Sequence, residues 1–171
     1  MSIEYVIGDA TDPIGDGPKI LAHVCNDVGA WGAGFSGAIS RRWRRPEQEY
    51  RDWYVASMRH PGSVLAFGLG NTWFTPTGEG IWVASMVAQH GTRGRDNPTP
   101  IRYDALADCL ATVAEFAFDG GFLVASVHLP RIGCGLAGGT WDRVEPIIAE
   151  ELCGRGVAVI VYDLPEAATR G

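Results

Sequence analysis

Short apolar runs alternate with amphipathic segments along the chain. Apolar runs of strand length occupy residues 3–7, 19–25, 63–69, 81–88, 122–129 and 157–162. Segments typical of helices occupy residues 37–43, 47–58, 102–118 and 141–152. Apolar strands that alternate with helices are typical of a parallel sheet covered on both faces. The pattern predicts an α/β fold with a buried, largely parallel sheet, and a short further strand fits between 69 and 81.

Three local signals refine these elements. Pro46 is expected to break the helix between the first and the second helical segment. The glycine pair at 120–121 is expected to end the third segment. The last run, VAVIVY, is too apolar for a strand exposed at the edge of the sheet. We therefore expect it to lie inside the sheet.

The length and composition of the chain suit one domain. It has 171 residues, of which 46% are hydrophobic and 20% charged, as in ordinary globular proteins. No linker or low-complexity segment divides it, so a single domain is expected over 1–171. There is no signal-peptide pattern at the N-terminus, and no apolar run approaches 18 residues. These features predict a cytoplasmic protein without a membrane span.

Charge and cysteine content narrow the ligand class. The net charge of −6 disfavours binding to nucleic acid or to anionic membranes, because both require a basic face. The basic run RRWRR at 41–45 is interpreted as a solvated helix end. Four scattered cysteines without a C-x-x-C pair argue against a zinc site or a disulfide framework, and we expect no cofactor. An anionic ligand would have to be held by local dipoles.

Two glycine-rich segments carry the same spacing about a hundred residues apart. WGAGFSGAI at 31–39 has glycines at 32, 34 and 37, and RIGCGLAGGTW at 131–141 has them at 133, 135 and 138. This G-x-G-x-x-G spacing is used in dinucleotide-binding turns, but there the first glycine follows the strand directly. Here five residues separate Asn26 from Gly32, and neither segment ends in the Gly-Lys-Ser/Thr of a P-loop. Another role is needed.

Loops of this kind bind anions through their backbone. Glycine permits a positive φ and close approach, so that successive N–H groups can converge on one anion. Each segment lies between a predicted strand and a predicted helix, and helix N-termini favour negative charge. Ligands of α/β sheets bind at the carboxyl ends of the strands. We therefore predict that the two loops clamp a diphosphate from both sides of one crevice.

Three segments taken together resemble the ligand-binding segments of macrodomains. They are GDAT after the first strand, HVCNDVGAWGAGFSGAI after the second, and LPRIGCGLAGGTW late in the chain. HVCN and PRIGCGL are most similar to the branch that contains the terminal ADP-ribose protein glycohydrolases and the ADP-ribose-1″-phosphate phosphatases. The resemblance implies a three-layer α/β/α sandwich with a mixed, largely parallel sheet of about six strands. It also implies ADP-ribose and ADP-ribosylated proteins as partners.

The resemblance assigns a role to each matching residue. Asp9 would accept a hydrogen bond from the adenine amino group, while Asn26 would hold the distal ribose hydroxyls and Phe35 would cover that ribose. The end of the last strand, 162–164, would border the adenine pocket. The predicted ligand-binding residues are Gly8, Asp9, Ala10, Asn26, Gly32, Ala33, Gly34, Phe35, Ser36, Pro130, Arg131, Ile132, Gly133, Cys134, Gly135, Leu136 and Asp163.

Structural roles remain open for several of these residues. Asp9 could cap a turn, Asn26 could close a strand-end turn, and Arg131 could form a surface ion pair. A thiolate at Cys134 could act as a nucleophile, but no histidine partner stands at a defined spacing, and we do not expect this. His23 is expected to be a buried, hydrogen-bonded core histidine.

The chain departs from the related glutamate-specific glycohydrolases at two positions. Those enzymes resemble this chain but use a lysine after the middle strand and an aspartate directly after GCGL. Here Gln89 or His90 stands at the first position and Ala137 at the second. The route through a lysine adduct is therefore closed. Asp27 and His90 are the remaining titratable candidates near the predicted cleft.

A water molecule could still cleave a glutamyl ester of ADP-ribose, because its leaving group is a carboxylate. A substrate phosphate oxygen would accept the proton, and loss of general acid–base help would cost about 10²–10⁴-fold in rate. We therefore predict a hydrolase of ADP-ribosyl esters on acidic side chains, with Asn26 and Gln89 as candidate catalytic residues. An ADP-ribose-1″-phosphate phosphatase and a non-catalytic ADP-ribose reader remain as alternatives.

Overall fold

A computed structural model describes residues 1–63, 66–121 and 123–165. These residues contain six strands and four α-helices. In chain order they are β1 (Glu4–Ile7), β2 (Lys19–Asn26), α1 (Phe35–Arg42), α2 (Arg45–Arg59), β3 (Thr72–Pro76), β4 (Ile81–Gln89), α3 (Tyr103–Phe118), β5 (Ser126–Leu129), α4 (Trp141–Glu151) and β6 (Val159–Asp163). A single 3-10 turn at Cys153–Arg155 precedes β6. Within the described ranges, no helix is long and apolar enough to cross a membrane.

The strands form one mixed sheet in the order β1-β6-β5-β2-β4-β3. All neighbouring pairs are parallel except β3 with β4, which is antiparallel. β6 lies between β1 and β5, which confirms that the apolar run VAVIVY is not an edge strand. The short further strand expected before 81 is β3. The predicted mixed, largely parallel sheet of six strands is confirmed.

Helices cover both faces of the sheet. On one face α3 and α4 pack against apolar side chains of β2, β4, β5 and β6, such as Ile20, Met86 and Val127. On the other face Ile39 of α1 packs with Leu21 and Val83, and the aromatic side chains of α2 pack with Val87. The helices therefore form the outer layers of the predicted α/β/α sandwich.

Three predictions about the secondary-structure elements were wrong. No strand exists over 66–69, while 64 and 65 lie outside the described residues; Phe67 instead packs against the rings of Tyr50 and Trp53. β5 begins only at Ser126, because the Ala125 N–H bonds to the end of α3 at Ala117 O, and 122 is also outside the described residues. Pro46 does not break a helix, since it lies in the first turn of α2, where its missing N–H costs nothing.

The topology brings the carboxyl ends of five strands to one edge of the sheet. Because β1, β6, β5, β2 and β4 run parallel, the segments that follow them lie side by side in that order. The turn after β1 and the end of β6 lie at one end of this row, and the segment after β4 lies at the other. The two glycine loops follow β2 and β5, which are neighbours in the centre.

Candidate ligand-binding cleft

A cleft of about 400 Å³ opens at the carboxyl ends of β2, β4 and β5. The predicted site residues that line it are Asn26, Ala33, Gly34, Phe35, Ser36, Gln89, Pro130, Arg131, Ile132, Gly133, Gly135 and Leu136. The predicted residues that do not line it are Gly8, Asp9, Ala10, Gly32, Cys134 and Asp163. The remaining lining residues are His23, Val24, Cys25, Ala30, Trp31, Thr92, Arg93 and Ala137. No carboxylate is among the lining residues within the described chain.

The first glycine loop runs directly into a helix. Gly34 is the N-cap of α1, with φ 63° and no side chain to cap the helix. The first N–H groups of α1, which have no intrahelical partner, therefore receive no hydrogen bond from the N-cap side chain. Ser36 closes the loop, because its hydroxyl accepts the Gly32 N–H (2.9 Å) and donates to Ala33 O (2.9 Å). The Gly32 N–H is therefore already bonded within the loop.

The second glycine loop is a turn closed on itself. The Gly139 N–H bonds to Gly133 O (2.7 Å) and the Gly138 N–H to Gly135 O (3.0 Å). α4 begins only at Trp141, which does not line the cleft. The prediction that the second loop leads into a helix is confirmed, but the first residue of that helix does not line the cleft, so on this side the cleft is bordered by the loop itself.

The two loops approach each other across the cleft. A Cβ atom placed on Gly34 would lie 3.3 Å from Cδ1 of Leu136. The side chain of Leu136 thus packs over the backbone of the first loop. A larger residue at 34 would have to adopt the positive φ of 63° and push the Leu136 side chain aside.

Asn26 organises the turn after β2. Its Oδ1 accepts hydrogen bonds from the N–H groups of Val28 (3.0 Å) and Ala30 (3.1 Å) and from the Tyr50 hydroxyl (3.1 Å). Its Nδ2 donates to Ala30 O at 2.7 Å. The strand-end role, left open by the sequence, is confirmed. One N–H of the amide remains for a ligand among the contacts of the described residues.

The end of β4 places Gln89, rather than His90, in the cleft. A register shift pairs Gln89 with Asn26, and the Gln89 amide donates to Gly91 O (3.1 Å). The ring of His90 is turned to Asp27, with 2.7 Å between Nδ1 and Oδ2. The other oxygen of Asp27 accepts the Gly91 N–H at 2.7 Å. Of the two, Gln89 lines the cleft, and an amide can neither attack carbon as an amine does nor act as an acid near neutral pH.

His23 lies beneath the first loop. It is 2% exposed, its Nε2 is 3.1 Å from the Ser85 hydroxyl, and its ring packs edge-to-face against Trp31. Burial lowers the pKa of His23 to about 3, so the ring is neutral. The prediction of a core histidine is confirmed.

Arg131 forms the ion pair that the sequence left open. Its Nε and Nη2 donate to the two carboxylate oxygens of Asp163 at 2.7 and 2.8 Å, and its guanidinium lies over the rings of Tyr5 and Trp141. The hydrogen bonds from Arg131 lower the pKa of Asp163. Both charges are therefore satisfied within the protein. The neighbouring thiol of Cys134 is half-buried, burial raises its pKa, and it does not line the cleft, so the geometry gives it no nucleophilic role.

The predicted adenine-binding residues lie at the ends of β1 and β6 and are not among the residues that line the cleft. The Asp9 Oδ1 accepts from the N–H (2.8 Å) and hydroxyl (2.7 Å) of Thr11, which confirms a turn-capping role. Its Oδ2 makes no hydrogen bond with any residue that the structure describes. The Gly8 N–H bonds to Asp163 O (2.9 Å), and Ala10 packs with Tyr162. β1 and β6 therefore bring these residues together, at one end of the row of strand ends.

The sequence interpretation missed three polar residues of the cleft. Trp31, whose indole N–H donates to the Ser40 hydroxyl (2.7 Å), forms part of its wall. Thr92 and Arg93 line it from the segment after β4, and the Arg93 Nη1 lies 3.5 Å from Gly135 O. The available signal was a cation between two glycines shortly after an apolar strand, in HGTRGRD.

Solved structures of known proteins share this fold. A macrodomain protein from Streptomyces coelicolor is 49% identical with a TM-score of 0.80, over 95% of this chain and 99% of that one. A protein of unknown function from Bacteroides thetaiotaomicron is 47% identical with a TM-score of 0.85, over 96% and 99%. Thermosipho africanus DarTG, solved in complex with ADP-ribose, shares the fold at 18% identity and a TM-score of 0.71, over 96% of this chain and 42% of that one.

Curated relatives point to the same family, although no protein-family model matches the chain. The mouse chromodomain-helicase-DNA-binding protein 1-like is 33% identical over 99% of this chain, which spans only 18% of that protein. An ADP-ribose 1″-phosphate phosphatase from Candida albicans is 25% identical over 86% of this chain and 92% of its own length. Together with the Streptomyces coelicolor structure, which the chain covers almost completely, these findings show that the chain belongs to the macrodomain family.

Proposed function

We propose that this macrodomain binds ADP-ribose and hydrolyses the ester that joins ADP-ribose to acidic side chains of modified proteins. The observation that carries the proposal is the pair of glycine loops that face each other across a cleft without carboxylates. Their backbone N–H groups suit a diphosphate, which the net charge of −6 would otherwise repel. The complex of Thermosipho africanus DarTG with ADP-ribose supports the choice of ligand.

The row of strand ends sets the direction of the ligand. Neighbouring strands lie about 4.8 Å apart, so an extended ligand lies across several of them. Adenine would sit at β1 and β6 beside Asp9, and the diphosphate between the loops after β5 and β2. The distal ribose would then reach Asn26 and Gln89, at the ends of β2 and β4.

Water is the proposed nucleophile. Its oxygen bonds to the anomeric carbon of the distal ribose, and the bond from that carbon to the ester oxygen breaks. The electron pair leaves with the carboxylate of the released side chain, while the proton passes to a diphosphate oxygen and then to solvent. No lysine or acid is required, which suits a cleft that holds Gln89 and Ala137 at those positions. The protein contributes by positioning the reacting groups, and such positioning supplies a large part of the rate acceleration in reactions of this kind.

Asn26 would position the distal ribose through its remaining amide N–H. Asn26→Ala is a poor test, because it also removes the acceptor that holds the Val28 and Ala30 N–H groups. Asn26→Asp keeps that acceptor but removes both amide N–H groups, including the one that donates to Ala30 O, so its thermal midpoint is measured as a control for the fold. We expect Asn26→Asp to cleave the ester at least about tenfold more slowly, with ADP-ribose still bound. His90→Ala and Cys134→Ala should keep most of the activity, since neither residue lines the cleft.

Asp9 would recognise adenine through Oδ2, since Oδ1 is held by Thr11. Asp9→Asn keeps the turn and replaces the free acceptor by a donor that repels the adenine amino group. We expect ADP-ribose binding to weaken by about 1–3 kcal/mol, with the thermal midpoint of the free protein unchanged. Loss of several degrees in that midpoint with unchanged affinity would leave Asp9 as a turn cap only.

Two other functions have a specific observation in their favour. The Candida albicans relative is an ADP-ribose 1″-phosphate phosphatase, and a phosphatase of that kind would use the same cleft. The residues Gln89 and Ala137, in place of lysine and aspartate, favour a reader that binds ADP-ribose without chemistry.

One experiment separates the three functions. The protein is incubated under single-turnover conditions with glutamate-linked ADP-ribosylated protein and, separately, with ADP-ribose-1″-phosphate, while calorimetry measures ADP-ribose binding. We expect release of ADP-ribose from the modified protein well above a buffer blank. Release of phosphate alone would support the phosphatase. Tight ADP-ribose binding with no release of either product would leave the reader.

A further inference from the structure

Arg93 brings an unpaired positive charge into the cleft. It is one of two cations that line the cleft within the described chain, and the other, Arg131, is held by both oxygens of Asp163. The only polar contact of the Arg93 guanidinium with described residues is to Gly135 O at 3.5 Å, the outer limit of a hydrogen bond. This contact to a neutral carbonyl is weak, so a ligand anion can replace it at little cost.

The loop that carries Arg93 is held in place on both sides. Asp27 binds the Gly91 N–H, and the Asn97 amide donates to His90 O (2.8 Å) and Thr92 O (3.1 Å). Gly94 and Asn97 also exchange two backbone hydrogen bonds of 3.1 Å. These hydrogen bonds fix the backbone on either side of Arg93, so the fold keeps this residue beside the cleft.

The backbone of Arg93 lies at the end of the row of strand ends opposite to Asp9, and its guanidinium reaches back to Gly135 O in the loop after β5. Arg93 lies four residues beyond Gln89, after β4, whereas Asp9 follows β1 at the other end of the row. The diphosphate already has the N–H groups of two loops. The group attached to the anomeric carbon would meet only the neutral amides of Asn26 and Gln89, each of which already donates one N–H within the protein.

We propose that Arg93 recognises the negative charge at the anomeric end of the ligand. This inference rests on the proposed function and names its substrate class: ADP-ribose derivatives whose group at C1″ is anionic or leaves as an anion. In a 1″-phosphate that charge is present before reaction. In a glutamyl ester it develops on the carboxylate as the bond from C1″ to oxygen breaks, so Arg93 would stabilise the transition state more than the bound ester.

The test compares two ligands on three variants. Calorimetry measures binding of ADP-ribose and of ADP-ribose-1″-phosphate to wild type, Arg93→Ala, Arg93→Lys and the control Arg95→Ala. Arg95 is an exposed arginine of the same loop that does not line the cleft. If phosphate is released during the measurement, the same comparison is made from kcat/KM. Single-turnover ester cleavage is measured alongside.

For Arg93→Ala we expect affinity for the 1″-phosphate to fall about tenfold or more, with ADP-ribose affinity changed less than about threefold. Arg93→Lys should recover part of the loss, and Arg95→Ala should behave as wild type. Ester cleavage by Arg93→Ala should fall through kcat with little change in KM. Equal losses for both ligands would assign Arg93 to the diphosphate, and no loss for either would make it a solvated side chain; both overturn the inference alone. Absence of ADP-ribose binding to wild type would overturn the proposed function itself.

Discussion

The two glycine loops have the same glycine spacing in sequence but different structures. The first becomes helix α1 at Phe35, so it borders the cleft with a helix N-terminus as well as with loop backbone. The second turns back on itself through hydrogen bonds between its own glycines and reaches α4 only at Trp141. It is instead anchored to the segment before α3, where the Ile101 N–H bonds to Ala137 O (3.0 Å).

This difference shows that glycine spacing alone does not define a loop. In the first loop the glycine at 37 allows close packing, since a Cβ there would lie 2.8 Å from Gly32 O of the same loop. In the second, Gly138 has φ 75°, and a Cβ there would lie 2.5 Å from Pro98 O of another segment. Both loops are closed by their own hydrogen bonds, but the second also packs closely against the segment before α3.

The largest effect should come from breaking that anchor. Gly138→Ala combines a positive φ with overlap against the Pro98 carbonyl, and we expect a loss of about 3 kcal/mol or more in the free energy of unfolding. Gly135→Ala is the matched control, because a Cβ there has no neighbour within 4 Å and its φ is not positive. It should change stability by less than about 0.5 kcal/mol. Urea unfolding of both variants measures this, and equal losses would contradict the difference between the two positions.

Blocking the first loop should remove binding with less damage to the fold. Gly34→Val would place a branched side chain against Leu136, between the loops, at a residue with φ 63°. We expect at least a hundredfold loss of ADP-ribose affinity, equal to about 2.7 kcal/mol, together with loss of ester cleavage. Calorimetry and circular dichroism of the same sample measure affinity and folding. Near-normal affinity in a folded Gly34→Val protein would show that the first loop does not approach the diphosphate.

Stability should also depend on pH, because each loop follows a strand that carries a buried histidine. Burial lowers the pKa of His23 in β2 to about 3 and that of His128 in β5 to about 4. Below about pH 6.5 the unfolded chain binds protons at these histidines while the native chain does not, so stability falls with pH down to about pH 4. Each histidine contributes a slope of up to about 1.4 kcal/mol per pH unit.

Urea unfolding between about pH 7.5 and 5 measures this slope above the range in which most carboxylates titrate. His23→Gln and His128→Gln should each reduce it. A stability that stays constant or rises as the pH falls through this range would contradict the neutral, buried state of both histidines.

Most of the fold followed from patterns that depend only on neighbouring residues. The apolar runs gave β2, β4 and β6, and helical spacing gave α3, because these elements bury their side chains in the core. The run at 63–69 was misleading, because the apolar side chain of Phe67 covers the aromatic rings of α2 rather than entering the sheet. Burial against a helix and burial in a strand produce the same local pattern.

The site was less predictable, since it depends on contacts between distant segments. Motif order placed Asn26, Gly34 and Leu136 correctly at one cleft. It did not show that the Asn26 side-chain amide is hydrogen-bonded within its own turn, nor that the Arg93 side chain reaches the loop that contains Gly135. Such partners come from the register of β2 with β4 and the packing of loops, which a single sequence does not contain.

The most direct test of the two-sided clamp is a titration of the wild-type protein with ADP-ribose, ADP and AMP. Both loops are proposed to contact the diphosphate, while only Asp9 and the end of β6 are proposed to contact adenine. We expect ADP-ribose to bind in the micromolar range or better, ADP to compete with it, and AMP to bind at least about tenfold more weakly. Equal affinities for AMP and ADP-ribose would contradict the clamp.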